Sequence, residues 1–148
     1  MESGGQRTAG SNLLRSMPPA VVGVVVSGVL LAGTLAFLPW HQVDLGVVSA
    51  SSTGLGAPDG VLGVLALLLA LAVPGTVVAT RVGGWRPPAL PIELPVLLVG
   101  GSAASMALLV LKLLLHTEFL GAGSWLSLVF GGALVATSVR ASRPVTEP

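Results

Sequence analysis

Four long apolar segments divide this chain, and they limit its fold more than any other feature. They cover residues 20–38, 61–80, 94–115 and 119–139. A helix rises about 1.5 Å per residue, so about 20 apolar residues cross the hydrocarbon core of a bilayer. Backbone groups in lipid must be satisfied within the segment, which favours helices even for the valine-rich run in the first segment. The predicted fold is an all-α integral membrane four-helix bundle with up-down topology.

Local signals set the ends of these predicted spans. The first span stops at Pro39, and Asp59 is a predicted N-cap for the second, because its carboxylate can accept hydrogen bonds from first-turn amides. The fourth reaches full length only if it begins near Phe119. The four-span domain is therefore 20–139, with tails at 1–19 and 140–148 that are predicted to be disordered cytoplasmic segments.

A secretory signal peptide is the alternative reading of the first span. Arg7 and Arg15 precede it, and the sequence at 48–50 resembles a cleavage site. The apolar run is longer than the roughly 7–15 residues of a signal-peptide core, and the cleavage-like site lies far beyond it. We expect the first span to be retained.

Composition supports a membrane protein and excludes several other classes. Hydrophobic residues make up 53% of the 148 residues and charged residues 9%, against roughly 25% charged residues in ordinary soluble domains. The net charge of +1 comes without a basic cluster, so a nucleic acid is not a predicted partner. The absence of cysteine excludes disulfides and thiolate metal sites.

The distribution of charge predicts the orientation of the spans. All six arginines fall in the two tails or in the second loop, at Arg7, Arg15, Arg81, Arg86, Arg140 and Arg143. The first loop has no basic residue except His41, a histidine predicted to be neutral. By the positive-inside rule, this places both termini in the cytoplasm and the protein in the cytoplasmic (inner) membrane. Trp40, Trp85 and Trp125 lie near span ends and are predicted interface anchors.

Lys112 is the only lysine, and it lies within the leucine-rich stretch LKLLLH. A lysine at the bilayer centre costs about 3 kcal/mol on insertion scales, so a charge inside a span is first considered as a functional group. If the third span ends near His116, Lys112 lies about 6 Å inside the outer boundary, within reach of a snorkelling side chain. We expect Lys112 to point to the headgroups as an anchor; an inward polar cavity or a subunit contact is the alternative.

An inward Lys112 would need partners among the other outward polar residues. The candidate polar site is Lys112, His116, Glu118, Asp44 and Asp59. His116 shares a helix face with Lys112 and could relay protons, but a histidine at a span end is more often an ordinary interfacial residue. A metal site is the other possibility for the outward residues, but they lack the spacing of metal ligands, so neither a metal nor a cofactor is predicted; these residues are His41, Asp44, Asp59, His116 and Glu118.

Small residues recur every four positions on three of the predicted spans. They are Gly23 and Ser27, Gly101 and Ser105, and Gly123, Ser127 and Gly131. This spacing predicts close packing within the bundle, with a dimer seam as the alternative. Pro74 predicts a kink that frees the Ala70 carbonyl, and a broken helix that binds an ion is the less favoured reading because no second break matches it.

The segment FLPWHQVDLGVVSASSTGLGAPDGVLGVLALLLAL, with the later LKLLLH and GAGSWLSLVFGGALVA, resembles a group of small four-span actinobacterial membrane proteins. The similarity covers most of residues 20–140. It implies the four-span architecture, a Phe-Leu-Pro-Trp exit from the first helix and an Asp-Gly entry to the second. It implies no substrate, cofactor or catalytic residue.

The functional prediction follows from what the sequence offers. Signatures of nucleotide-binding loops, hydrolases and metalloproteases are absent, so we do not expect an enzyme. The predicted role is an accessory or structural subunit of a membrane assembly, in contact with the lipid bilayer and with a protein partner or further copies of itself. The alternative is a small transporter or channel-like oligomer for an anionic solute.

Overall fold

The computed structural model describes residues 17–44, 46, 49–56, 59–81, 83–85, 92–117 and 120–143. In chain order its elements are helix α1 (Pro19–Phe37), strands β1 (Pro39–Asp44) and β2 (Ser49–Thr53), and helices α2 (Gly60–Arg81), α3 (Leu94–Leu115) and α4 (Ala122–Ser142). All four helices are long and apolar enough to cross a membrane. Of the tails predicted to be disordered, residues 1–16 and 144–148 lie outside the described residues, as does Glu118, whereas residues 140–142 are the last residues of α4.

Three of the four helices begin and end where the sequence predicted, to within one residue. The fourth differs, because α4 begins at Ala122 and ends at Ser142. The residues just before it pair with β1 instead of joining the helix. Leu120 forms a β-bridge with His41, and the Gly121 amide donates to the Trp40 carbonyl at 2.7 Å.

The helices form a ring in which each one packs against two others. Helix α1 contacts α2 and α4, and α3 contacts α2 and α4. Strand β1 continues from the end of α1, so the hairpin lies where α1 and α3 end and α2 and α4 begin. We call this the hairpin end. The opposite end carries Arg81, Arg140 and Arg143, and the other three arginines lie outside the described residues.

The exterior of the ring is apolar, and its interior contains polar side chains. Large aliphatic residues such as Val29, Leu68, Val96 and Val129 are more than half exposed. The buried polar residues are Ser27, Thr34, Ser102, Ser105, Lys112, Ser124, Ser127 and Ser138. Lipid surroundings favour this distribution of apolar and polar side chains, whereas water would favour the reverse.

Small residues allow the helices to approach closely, which agrees with the packing prediction. A Cβ at Gly23 would lie 2.7 Å from the Thr137 methyl carbon, and a Cβ at Gly131 would lie 2.9 Å from the Met106 sulfur. Across the interface of α2 and α3, the Ser105 hydroxyl donates to the Ala66 carbonyl at 3.0 Å. The small residues therefore serve contacts within the bundle.

Helix α2 is continuous through Pro74. The Ala70 carbonyl, which loses its usual amide donor to the proline, faces Gly28 of α1. A Cβ at Gly28 would lie 2.8 Å from this carbonyl oxygen and 2.7 Å from the Pro74 Cγ. The neighbouring helix thus covers the position where an ion would have to bind.

The two strands form an antiparallel hairpin that the sequence analysis did not predict. Their register runs from Asp44 opposite Ser49 to His41 opposite Ser52, with an irregularity next to Pro39. At the tip, the Asp44 carboxylate accepts a hydrogen bond from the Gly46 amide at 2.9 Å. Asp44 is therefore used in the turn and is exposed.

Candidate functional site at the hairpin end

Lys112 points into the bundle, and its side chain is almost completely buried, with 1% of the residue exposed. Its ammonium group donates to the carbonyl oxygens of Gly54 at 2.7 Å, Gly56 at 3.3 Å and Asp59 at 3.5 Å. These carbonyls belong to the loop that joins β2 to α2. The expectation that Lys112 anchors the protein in the headgroups is therefore wrong, and its inward alternative describes the structure.

The partners of Lys112 are backbone dipoles, not carboxylates. A lysine ammonium has three N–H donors, and three carbonyl oxygens surround this one. The ring of Trp40 adds a π face, with its centroid 5.3 Å from the nitrogen. An inward lysine was expected to pair with a carboxylate, but Asp59 contacts Lys112 through its main-chain oxygen.

Two glycines allow the loop to come this close. At Gly54, a Cβ would lie 2.8 Å from a methyl carbon of Leu35 and 3.1 Å from the Trp40 indole nitrogen. At Gly63 on α2, a Cβ would overlap the Gly54 carbonyl oxygen. Because neither residue has a side chain, the Gly54 carbonyl lies against α2 and within reach of Lys112.

Trp40 lies inside the bundle and is fully buried. Its indole N–H donates to the Ser127 hydroxyl at 3.2 Å, and Ser127 lies 3.1 Å from the Thr34 hydroxyl. The predicted role of Trp40 as an interface anchor is thus corrected, since its ring packs between α1, α4 and Lys112. Trp85 and Trp125 are 49% and 58% exposed, and their anchor role stays a prediction.

Asp59 and His116 form a second contact at the same end. The Asp59 carboxylate lies 3.1 Å from the Nδ1 atom of His116, which is an ion pair when the imidazole is protonated. The angles are not those of a hydrogen bond. Asp59 has a φ of 54°, a left-handed conformation that aspartate tolerates better than most residues.

The predicted N-cap at Asp59 is not formed by its side chain. Within the described residues, no first-turn amide of α2 donates to this carboxylate; the Leu62 amide instead donates to the Asp59 main-chain oxygen at 3.0 Å. The carboxylate is directed to His116. Asp59 thus contacts α2 and Lys112 through its main-chain oxygen and His116 through its carboxylate.

His41 completes the cluster; the sequence pointed to it only among possible metal ligands and not as part of the Lys112 site. Its ring lies 6.3 Å from the ring of His116 at an angle of 89°, and 6.4 Å from the ring of Trp40. Both ring nitrogens are shielded from solvent and have no hydrogen-bond partner. The available signal was its position directly after Trp40, at the start of the first loop.

The environment of His41 disfavours its charged form. Burial lowers the pKa of His41 below its ordinary value, and the positive charge of Lys112 lowers it further. The His116 backbone acts in the opposite direction, although it does not reach hydrogen-bond geometry. His41 is therefore a neutral imidazole at neutral pH.

The structure brings together Lys112, His116 and Asp59 from the predicted polar site and leaves Asp44 at the hairpin tip. Glu118 lies outside the described residues. In the part of the chain that the structure describes, no group of three or more histidine and acidic residues is arranged to hold a metal ion. The cluster can hold the hairpin on the helices through Lys112 and Trp40.

Comparisons with known proteins give no family for this chain. No family model matches it, and neither the curated proteins nor the solved structures contain a match. The function is therefore argued from the cluster itself.

Proposed function

We propose that this protein is a non-enzymatic accessory or structural subunit of a membrane assembly, with four spans in the cytoplasmic membrane. Both termini lie in the cytoplasm and the hairpin end faces outward. Arg81, Arg140 and Arg143 at one end of the bundle support this orientation, since basic residues remain on the cytoplasmic side. The same proposal includes a relationship to the small four-span actinobacterial membrane proteins that the sequence resembles.

The observation that carries the proposal is the use of Lys112. A solute anion would need free N–H donors, and the ammonium directs its donors to three carbonyl oxygens of the loop before α2. The indole of Trp40 covers it as well. The one lysine of the chain thus serves to fix the outer hairpin on the helices, which is a structural task.

The surface of the bundle supports a role in an assembly. Most of its large exposed apolar side chains are aliphatic, and they suit both acyl chains and the helices of another membrane protein. The interior hydroxyls are bonded mainly to helix carbonyls, as in the pairing of Ser102 with Leu98 at 2.9 Å. The polar groups of the interior therefore stabilise the bundle itself.

Purification in a mild detergent with mass spectrometry tests this function directly. We expect the tagged chain to retain a defined membrane-protein partner, or further copies of itself, at a fixed stoichiometry. The same protein in liposomes should give no anion flux above empty liposomes. Anion flux that disappears in Lys112→Ala but persists in Leu111→Ala, an exposed neighbour on the same helix, would favour the transporter and contradict the proposal.

Single cysteines test the orientation, because the natural chain has no cysteine to interfere. Ser51→Cys lies on the exposed part of β2, and Ser142→Cys lies at the last residue of α4. In intact cells, an impermeant thiol reagent should label the first and spare the second. The proposed orientation is wrong if Ser142→Cys is labelled while Ser51→Cys is protected.

A further inference from the structure

We propose that His41 is a proton-operated latch that releases the β-hairpin from the helices when the medium at the hairpin end becomes acidic. The inference concerns the response of the fold to protons and does not depend on the accessory role proposed above. It follows from where His41 is placed, from the charges that surround it and from what its strand holds together.

The surroundings of His41 favour a neutral imidazole over a charged imidazolium. Its two ring nitrogens are shielded from water, and neither has a hydrogen-bond partner. A neutral imidazole in such a place leaves one N–H unpaired, whereas an imidazolium has two N–H donors and a charge to stabilise. A protonated His41 must therefore leave this position or draw in water.

The neighbouring charges act in the same direction. Among the described residues, Lys112 and His116 face His41 from α3 and the turn after it, and Asp59 lies beyond His116 at the start of α2. The nearby parts of α1, β2 and α4 carry no ionisable side chain. Protonation of His41 would place its charge near that of Lys112, and the carboxylate that the described residues offer here, that of Asp59, is directed to His116.

The strand that carries His41 connects the hairpin to the bundle. His41 pairs with Ser52 of β2 on one side and with Leu120, before α4, on the other. The residue before it, Trp40, bonds to Ser127 and covers Lys112. Displacement of His41 therefore loosens the bridge to Leu120 and exposes Trp40.

The sign of the pH effect follows from linkage. With the hairpin open, His41 titrates near its ordinary pKa of about 6.5. With the hairpin closed, burial and Lys112 lower the pKa of His41. Below about 6.5 the open state binds more protons, so the closed state loses stability as the pH falls, by at most about tenfold in the open-to-closed ratio per pH unit for one proton.

Trp40 is a suitable reporter for this movement. The variant Trp85→Phe/Trp125→Phe leaves it as the only tryptophan, since the chain has three. In nanodiscs taken from pH 8 to pH 5 at constant ionic strength, we expect its emission to shift to longer wavelength and its quenching by acrylamide to increase. Both changes should reverse on return to pH 8.

His41→Phe in the same background is the decisive variant. Phenylalanine resembles the ring in shape and loses no hydrogen bond, because neither nitrogen has a partner. This variant should fold and should show no acid response. If phenylalanine does not fit the site, His41→Leu takes its place in the experiment. His116→Gln should keep the response. An unchanged Trp40 signal between pH 8 and pH 5, an equal response in the His41 variants, or loss of the response in His116→Gln alone would overturn the proposal.

Discussion

Lys112→Met is expected to lower the free energy of unfolding by on the order of 3 kcal/mol, because each buried acceptor left without its donor costs about 1–3 kcal/mol. The carbonyls of Gly54 and Gly56 lose their charged donor, and methionine fills the space without replacing it. Relief of lysine desolvation offsets part of this loss. Reversible unfolding in mixed detergent micelles measures the difference.

Leu111→Met is the matched control for this experiment. Leu111 precedes Lys112 on α3 and is 45% exposed on the apolar surface. The same final residue at that position should change stability by less than about 0.5 kcal/mol. If Lys112→Met were as mild as its control, the three carbonyl contacts would contribute nothing measurable, and the description of Lys112 as the group that fixes the hairpin would be wrong.

Gly63→Ala is expected to be similarly damaging for a steric reason. The added methyl group would overlap the Gly54 carbonyl oxygen, which is main chain and cannot rotate away. The loop must shift from α2, and its acceptor must then move from Lys112. Overpacking of this kind costs about 1–3 kcal/mol or more, and we expect the upper part of that range. The measurement is the same detergent unfolding titration.

Gly75→Ala on the same helix separates this steric effect from helix propensity. A Cβ at Gly75 meets no atom within 4 Å. Alanine is favoured over glycine inside a helix by about 0.8–1.0 kcal/mol, so this variant should be neutral or more stable than the natural chain. Equal losses in Gly63→Ala and Gly75→Ala would mean that the close approach of Gly54 is not what makes Gly63 necessary.

The helices could be predicted from sequence because they follow from a length of apolar residues. The bounds of α3 agree with the prediction at both ends, since Glu93 and Pro95 mark its start and His116 follows its end. The start of α4 was missed because the segment before Ala122 pairs with β1. That pairing depends on a distant strand, and no local propensity reveals it.

The cluster at the hairpin end was only partly predictable. Lys112, His116 and Asp59 were identified because a charge inside a span is rare and few ionisable residues lie on the predicted outward side, but their partners were not identified. Main-chain carbonyls have no signature in the sequence, so Gly54 and Gly56 could not be assigned to Lys112. The position of Lys112 about one turn inside its span suggested that its side chain could reach the membrane surface. The side chain points inward instead, because Gly54 and Gly63 let the loop before α2 come within its reach.

The position of Trp40 shows a similar limit. A tryptophan at a span end is typical of the membrane interface, which is why it was predicted to be an anchor. Its burial depends on Ser127, a small residue 87 positions later whose hydroxyl accepts the indole N–H. The hairpin itself was missed because the rule for lipid-embedded chains favours helices and does not address loops outside the spans.

The long separation of these contacts along the chain has a consequence for biogenesis. Lys112 follows Gly54 by 58 positions, and Ser127 follows Trp40 by 87. In the proposed orientation, the hairpin crosses the membrane during synthesis before either of the residues that hold it has been made. The hairpin therefore lacks its contact with Lys112 until the third helix inserts. The indole of Trp40 can donate to Ser127 only after the fourth helix has packed against the others. The contacts of this end therefore require the synthesis of α3 and α4, and a nascent chain that stops after α2 would leave the hairpin without them.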